Sequence, residues 1–146
     1  MTTHWDFPNV HVVEVGVQPG DIDAYEHVNN SVYLTWLDRA AWSHSAALGI
    51  PLEQCIATRR GMAALRTEID YLRAALAGDA VQVGTWIESS DARLRVVRRF
   101  QLWRAADRQT LARARIDYVC INLDSGRATR MPAEFIRAYA ATPPAG

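Results

Sequence analysis

The chain contains no lysine: all 16 of its basic residues are arginine. That absence excludes a Schiff-base lysine, a phosphate loop of the Walker type and a Ser–Lys dyad. Only two cysteines occur, Cys55 and Cys120, far apart and without the paired spacing of zinc ligands. Nothing in the sequence supports a disulfide between them. Excess charge of either sign is also missing, since 16 acidic residues balance the 16 arginines. A neutral chain gives no global electrostatic reason to bind nucleic acid or an anionic membrane. No apolar run approaches the roughly 18 residues that span a bilayer. The start, MTTHWDFPNV, lacks the basic-then-apolar pattern of a secretory leader. A cytoplasmic protein without nucleic-acid partner or membrane insertion is therefore expected. G-x-S-x-G, H-E-x-x-H and G-x-G-x-x-G motifs are absent too, which sets aside serine-hydrolase, zinc-protease and dinucleotide chemistry. No metal or cofactor is expected.

What is present is a chain of 146 residues, 49% of them hydrophobic. A single domain over residues 1–146 fits this length. Such a domain buries roughly 68–70% of its unfolded surface, enough to need no staple. Val10–Val17 is rich in β-branched residues and reads as a first strand, broken by Pro19-Gly20. Ser31–Leu48 then reads as the one long helix, because Val32, Tyr33, Trp36, Leu37, Ala40, Ala41, His44, Ala47 and Leu48 recur at three- and four-residue steps. Asn29, Asn30 or Ser31 can cap its start, and Gly49 followed by Pro51 stops it. Four strand-like runs follow: Met62–Leu72, Val81–Glu88, a run through Arg93–Arg104, and Thr110–Leu123. The last two join at the turn Ala106–Gln109. Arg98 interrupts the apolar side of the third run. Pro132–Ala141 can form a short terminal helix before a frayed Pro-Pro tail.

One strand, a long helix and four more strands make an α+β layout rather than a doubly wound parallel sheet. The helix is apolar on most sides, with Trp36 and Trp42 on different faces, and so wants to be surrounded. A curved antiparallel sheet of about five strands would do this.

The chemistry concentrates in Gly20–Tyr33, where Asp21, Asp23, Glu26, His27, Asn29 and Asn30 crowd the loop entering the helix. Read alone, a carboxylate there is as well explained by helix capping as by catalysis. With His27 beside it and an apolar helix behind, the functional reading gains.

The stretch Asp23-Ala24-Tyr25-Glu26-His27-Val28-Asn29-Asn30-Ser31-Val32-Tyr33-Leu34 resembles the signature of the 4-hydroxybenzoyl-CoA thioesterase-like hotdog proteins, most of all the branch of bacterial long-chain acyl-CoA thioesterases. Asp70–Ala74 with Gly78-Asp79, Arg113–Asn122 and Gly126–Pro132 are similar to later parts of that family, so the resemblance covers about residues 10–135. It implies a hotdog fold, a homodimer or homotetramer, and an acyl-CoA substrate or its acyl-carrier-protein equivalent. It carries the catalytic aspartate onto Asp23, the carbonyl-polarising N–H onto Asn30 or its neighbour, and an acyl-pocket position onto Tyr33. One departure stands out: many members have glycine where this chain has Glu26.

The chemistry agrees. Thioester hydrolysis builds negative charge on the carbonyl oxygen, and the unpaired N–H groups at a helix start receive it. Asp23 would attack directly or deprotonate water, the latter being favoured slightly. His27 is a rival base or a substrate contact, Glu26 a second acid/base candidate, and Asn29 a cap and possible ligand contact. Trp36 and Met62 are candidates for the acyl-pocket wall, and Arg59, Arg60, Arg93 and Arg95 for the nucleotide end of CoA. The alternatives are a non-hydrolytic acyl-thioester-binding protein of the same fold, an acyl-carrier-protein thioesterase, and a purely structural dimer in which Asp23 is only a cap.

Overall fold

The computed structural model describes residues 5–145. Met1–His4, part of the stretch read for a leader, and Gly146 after the Pro-Pro tail lie outside it. Five strands run β1 (His11–Gly16), β2 (Arg60–Tyr71), β3 (Ala80–Ser90), β4 (Arg95–Arg104) and β5 (Thr110–Asn122). Three helices accompany them: α1 (Asn30–Ala47), α2 (Leu52–Thr58) and α3 (Ala133–Ala138). The strands form one antiparallel sheet in the order β1-β3-β4-β5-β2, and α1 packs on β1 and β3. This is the antiparallel sheet with one long helix that the sequence pattern calls for, and the hotdog layout that the family resemblance implies.

The wrapping has a simple cause. Tyr33, Trp36, Leu37, Ala40 and His44 all point from α1 into the sheet and are buried. They meet Val15, Val81, Val83, Phe100, Leu102, Leu111 and Ile116 from four strands. Each fully buried aliphatic or aromatic side chain contributes about 1.5–3 kcal/mol, so this one contact face dominates the stability of the sheet. A second cluster, with Ile50, Cys55, Ile87, Val96, Cys120, Met131 and Phe135, closes the other end. Both cysteines are free and buried in it.

Three expectations are corrected. The helix α2 was not anticipated: seven residues after Pro51 are too few to display a period. The terminal helix is shorter than Pro132–Ala141. The tail is not frayed at its start, because the Ile87 N–H donates to Thr142 Oγ1 at 2.8 Å and the Thr142 N–H donates to the Ile87 carbonyl at 3.0 Å.

The N-terminal segment straps the outer face of the sheet. Trp5 lies on Trp103 with ring centres 4.1 Å apart, and Phe7 stacks on Trp86 at 5.4 Å. The Asp6 N–H donates to Gln101 Oε1 at 2.7 Å, while the Asp6 carboxylate accepts from Arg113. This strap explains why Gln101, expected on a cationic outer face, is fully buried. Gly84 makes room for it: a Cβ there would stand 2.6 Å from the Trp5 ring. Gly84→Ala is therefore expected to lower stability by about 1–3 kcal/mol, the usual cost of overpacking, read as a drop in urea midpoint without change in slope.

Candidate active site

The loop from Ile22 to Asn29 is a closed hairpin-like turn. Ile22 and Val28 form an antiparallel bridge, and the Asp23 N–H donates to the His27 carbonyl at 2.8 Å. Inside it, Asp23 Oδ1 accepts from the N–H groups of Tyr25 (2.9 Å) and His27 (3.3 Å). Short acidic side chains stabilise turns in this way. Only Oδ1 is engaged, which leaves Oδ2 available. Glu26 occupies the tip with φ of 64°, the left-handed region. That is the physical reason a glycine suits this position: a β-carbon costs about 1–2 kcal/mol there.

The loop delivers the chain into α1. Asn29 caps the helix, its Oδ1 accepting from the Ser31 N–H at 3.0 Å, while the Val32 N–H donates to the Asn29 carbonyl at 2.9 Å. Among the described residues the Asn30 N–H donates to nothing. The first turn thus keeps one donor open, at the positive end of an 18-residue helix.

The open donor and Asp23 share a cleft of about 370 Å³, walled by Tyr25, His27, Tyr33 and the end of β2 at Tyr71–Ala74. Ligand pockets commonly begin at roughly 300 Å³. Tyr33 forms the buried floor; its hydroxyl accepts from the Ala75 N–H at 3.1 Å, and burial pushes its pKa up. Tyr71 stands edge-on to it at 5.1 Å and donates to the Asn30 carbonyl at 3.3 Å. Arg104 braces the far side, donating to Asp79 Oδ2 (2.9 Å) and to the Ala74 carbonyl (2.7 Å). The Val28 N–H in turn donates to the Ala75 carbonyl.

The sequence residues therefore separate into groups. Asp23, His27, Asn30 and Tyr33 meet at this cleft, with Asn29 capping beside it and Glu26 exposed at the loop tip. Trp36 is buried in the core and lines no cavity described here. Arg59, Arg60 and Met62 sit at the opposite end of β2. Arg59 pairs with Asp124 at 2.9 Å in the left-handed cap of α2, and Arg60 Nη1 donates to the Arg59 carbonyl. Arg93 and Arg95 are exposed beyond Asp91 at the start of β4. Tyr71 and Arg73 were missed as cleft residues. Nothing in the sequence says which strand end meets the helix start.

The model of the thioesterase-like superfamily matches residues 17–139, an interval that holds the cleft and most of the sheet. The chain belongs to that family. Its activity class is accordingly thioester hydrolysis. No functionally curated protein matches the sequence. Solved structures share the fold. Slr0204, a 1,4-dihydroxy-2-naphthoyl-CoA thioesterase from Synechocystis, is 23% identical with a TM-score of 0.79, covering 90% of this chain and 96% of that one. The DHNA-CoA thioesterase from Staphylococcus aureus is 17% identical with a TM-score of 0.82, covering 89% and 88%. SAV2348 from Staphylococcus aureus, solved in complex with CoA, is 16% identical with a TM-score of 0.81, covering 96% and 91%. Among the described residues, no cluster of histidine, cysteine and carboxylate could hold a metal, and no helix is long and apolar enough to cross a membrane.

A second polar group lies deeper along this thioesterase-like fold. His44 is buried on α1, and its Nδ1 sits 2.6 Å from Arg98 Nη1. Burial first, then Arg98 and the stacked His11 ring, push its pKa down to about 4. His11 is shifted down as well.

Two outcomes are expected. Glu26→Gly should raise stability by up to about 1 kcal/mol through relief of the left-handed strain; retained turnover in this variant would remove Glu26 as an acid or base. Between pH 6.5 and about 4 the unfolded chain takes up a proton on His44 that the folded chain refuses. Stability should thus be full above pH 6.5 and fall as pH drops through that window. Urea titrations at several pH values should show a shallower fall for His44→Gln, whose side chain accepts from Arg98 without titrating.

Proposed function

We propose that the chain hydrolyses acyl-CoA thioesters in the Asp23 cleft. The observation carrying this reading is the meeting, in one cavity, of a carboxylate with a free oxygen and an open N–H at the start of a buried helix. The thioester carbonyl oxygen would point at the Asn30 N–H, where the charge of the tetrahedral intermediate is stabilised by a donor that needs no reorganisation. Asp23 Oδ2 would take a proton from the attacking water, with Oδ1 fixed by the loop N–H groups. Direct attack by Asp23 through an anhydride is the variant of the same reading. His27 contacts substrate at the rim, and Tyr33 with Tyr71 walls the acyl entrance. The CoA bound to SAV2348 supports CoA as the carrier.

The working form in this proposal is a homodimer joined along β2. Among the described residues that strand has no neighbour on its outer edge, and its Leu65 and Tyr71, with Leu72 just after it, are exposed together with Leu34 and Trp42 of α1. An unpaired edge next to exposed apolar side chains invites a second strand. Antiparallel pairing brings Arg59, Arg60 and Met62 of one protomer towards the Tyr71 end of the other, which restores them as substrate contacts.

A thiol-release assay over an acyl-CoA panel should show turnover that falls at least about 10²-fold in Asp23→Ala; undiminished activity in that variant would sink the reading. Single turnover in ¹⁸O-water that labels Asp23 would establish the nucleophilic variant with water attacking the Asp23 carbonyl of the anhydride, and trapping of the anhydride by hydroxylamine would reveal that variant whichever carbonyl water attacks. Sedimentation should give a dimer, and Leu65→Pro, which blocks edge pairing, should give monomers of low activity.

A further inference from the structure

The strand β4 carries a charge where its inward face calls for a hydrocarbon. Arg98 follows Val96 and precedes Phe100 on the side that faces α1, pairs with Ile87 and Ile116 on the flanking strands, and is only 2% exposed. Its guanidinium reaches His44 Nδ1 (2.6 Å), Thr85 Oγ1 (3.4 Å) and Ser45 Oγ (3.4 Å), all of them uncharged. Among the described residues no ion pair includes it. An isolated buried ion costs several kcal/mol even after relaxation, so the fold tolerates here a charge that it does not neutralise itself. Next to it, the Tyr118 hydroxyl is buried close to the guanidinium and, among the described residues, has no partner for its own O–H within hydrogen-bond geometry.

The uncompensated guanidinium and the Tyr118 hydroxyl line one cavity of about 130 Å³ in the groove between α1 and β2. Ser45 and Met62 share its wall, and the exposed Asp38 and Trp42 stand at its rim. A planar guanidinium with a phenol donor beside it is the chemistry that receives a carboxylate. The volume is close to that of a cavity of about 150 Å³ that admits benzene. It takes a carboxylate and a few methylenes, not a long chain.

We infer that the Arg98 cavity is a distal acyl subsite, selecting thioesters whose acyl group ends in a carboxylate. This rests on the reading of the Asp23 cleft as the thioester site. Within one protomer the two lie at opposite ends of β2, with Ala64 and Tyr71 about 23 Å apart along an extended strand. That is too far for a short acyl group. In a β2-paired dimer the distance closes. Arg66 and Glu68, which pair with each other at 2.6 Å on this strand, become self-complementary across a two-fold axis near Thr67. The Met62–Ala64 end of one protomer then faces the partner's Tyr71. Each Arg98 cavity serves the Asp23 of the other copy. Asp38 at the rim opposes an anion, but it is exposed and screened by water, whereas Arg98 acts from a low-dielectric base.

The test compares kcat/KM for glutaryl-, adipyl- and pimelyl-CoA with pentanoyl-, hexanoyl- and heptanoyl-CoA on the intact protein. The wild type is expected to favour at least one carboxylate-ended substrate by about 10-fold or more, the worth of one charge-assisted hydrogen bond. Arg98→Gln should abolish that preference, and Asp38→Asn should enlarge it. If Arg98→Gln does not fold, Tyr118→Phe, expected to weaken the preference, and Asp38→Asn decide the matter. Asp23-dependent hydrolysis that favours the methyl-ended member of every pair would overturn the subsite and leave the thioesterase reading intact. If no thioester is hydrolysed, that reading fails by itself. Thermal stabilisation by adipate, present in the wild type and lost in Arg98→Gln, would still uphold the carboxylate site, and its absence would overturn it.

Discussion

The structure depends on covering the apolar face of the long helix α1. Leu37 and Ala40 of α1 are essentially inaccessible, and Tyr33 and Trp36 nearly so. A twisted antiparallel sheet of five strands covers that face, while Leu34, Asp38, Arg39 and Trp42 on the other stay exposed. Everything functional follows from where this enclosure ends. The sheet covers one face of α1 but not its first turn, and among the described residues the Asn30 N–H there is left open where the helix emerges at a cleft.

That first turn is held by short, local interactions. Asn29 satisfies Ser31, Asp23 ties Tyr25 and His27, and Glu26 accepts a left-handed backbone at the loop tip. The arrangement is anchored from outside by the Ala74–Asp79 loop and the largely buried Arg104–Asp79 pair, whose side chains are 17% and 18% exposed. Asp23 is in this sense both a structural acceptor and a candidate catalyst: Oδ1 fixes the loop and Oδ2 is left to the cleft the residue lines. The helix cap is Asn29, not Asp23, whose acceptor role is confined to the loop.

The opposite end of the α1–β2 groove follows another electrostatic logic. Asp23 stands in a partly exposed loop, whereas Arg98 is enclosed by α1 and the sheet with only neutral acceptors. His44 can accept from it only while unprotonated, which burial and the neighbouring guanidinium both favour. The outer edge of β2 connects the two regions. It is the one long strand with an open side, and the bulge between Ala64 and Arg66 turns Leu65 outward there.

Much of this was legible in the residues. The three- and four-residue periodicity from Val32 to Leu48 gave α1 to within one residue at each end, because a helix enclosed by a sheet must repeat its apolar contacts. Alternation along the strand runs gave all five strands, and the crowding of Asp23, His27, Asn29 and Asn30 before α1 marked the cleft. The seven residues of α2 were too short for a period to show. Arg98 was visible as a break in the β4 pattern but had no meaning by itself, since a break reads equally as a bulge, an exposed kink or a buried charge.

Sequence alone therefore determined the five strands, the long helix, their order and the loop that carries the carboxylate, because these are set by local periodicity, capping and turn chemistry. Tertiary structure decided what lies opposite what. It set Tyr71 against Tyr33, moved Arg59, Arg60 and Met62 away from Asp23, buried Trp36 in the core, and enclosed Arg98 beside His44 and Tyr118. Those relations arise from strand order and register, which join residues tens of positions apart, and no local pattern in the chain encodes them.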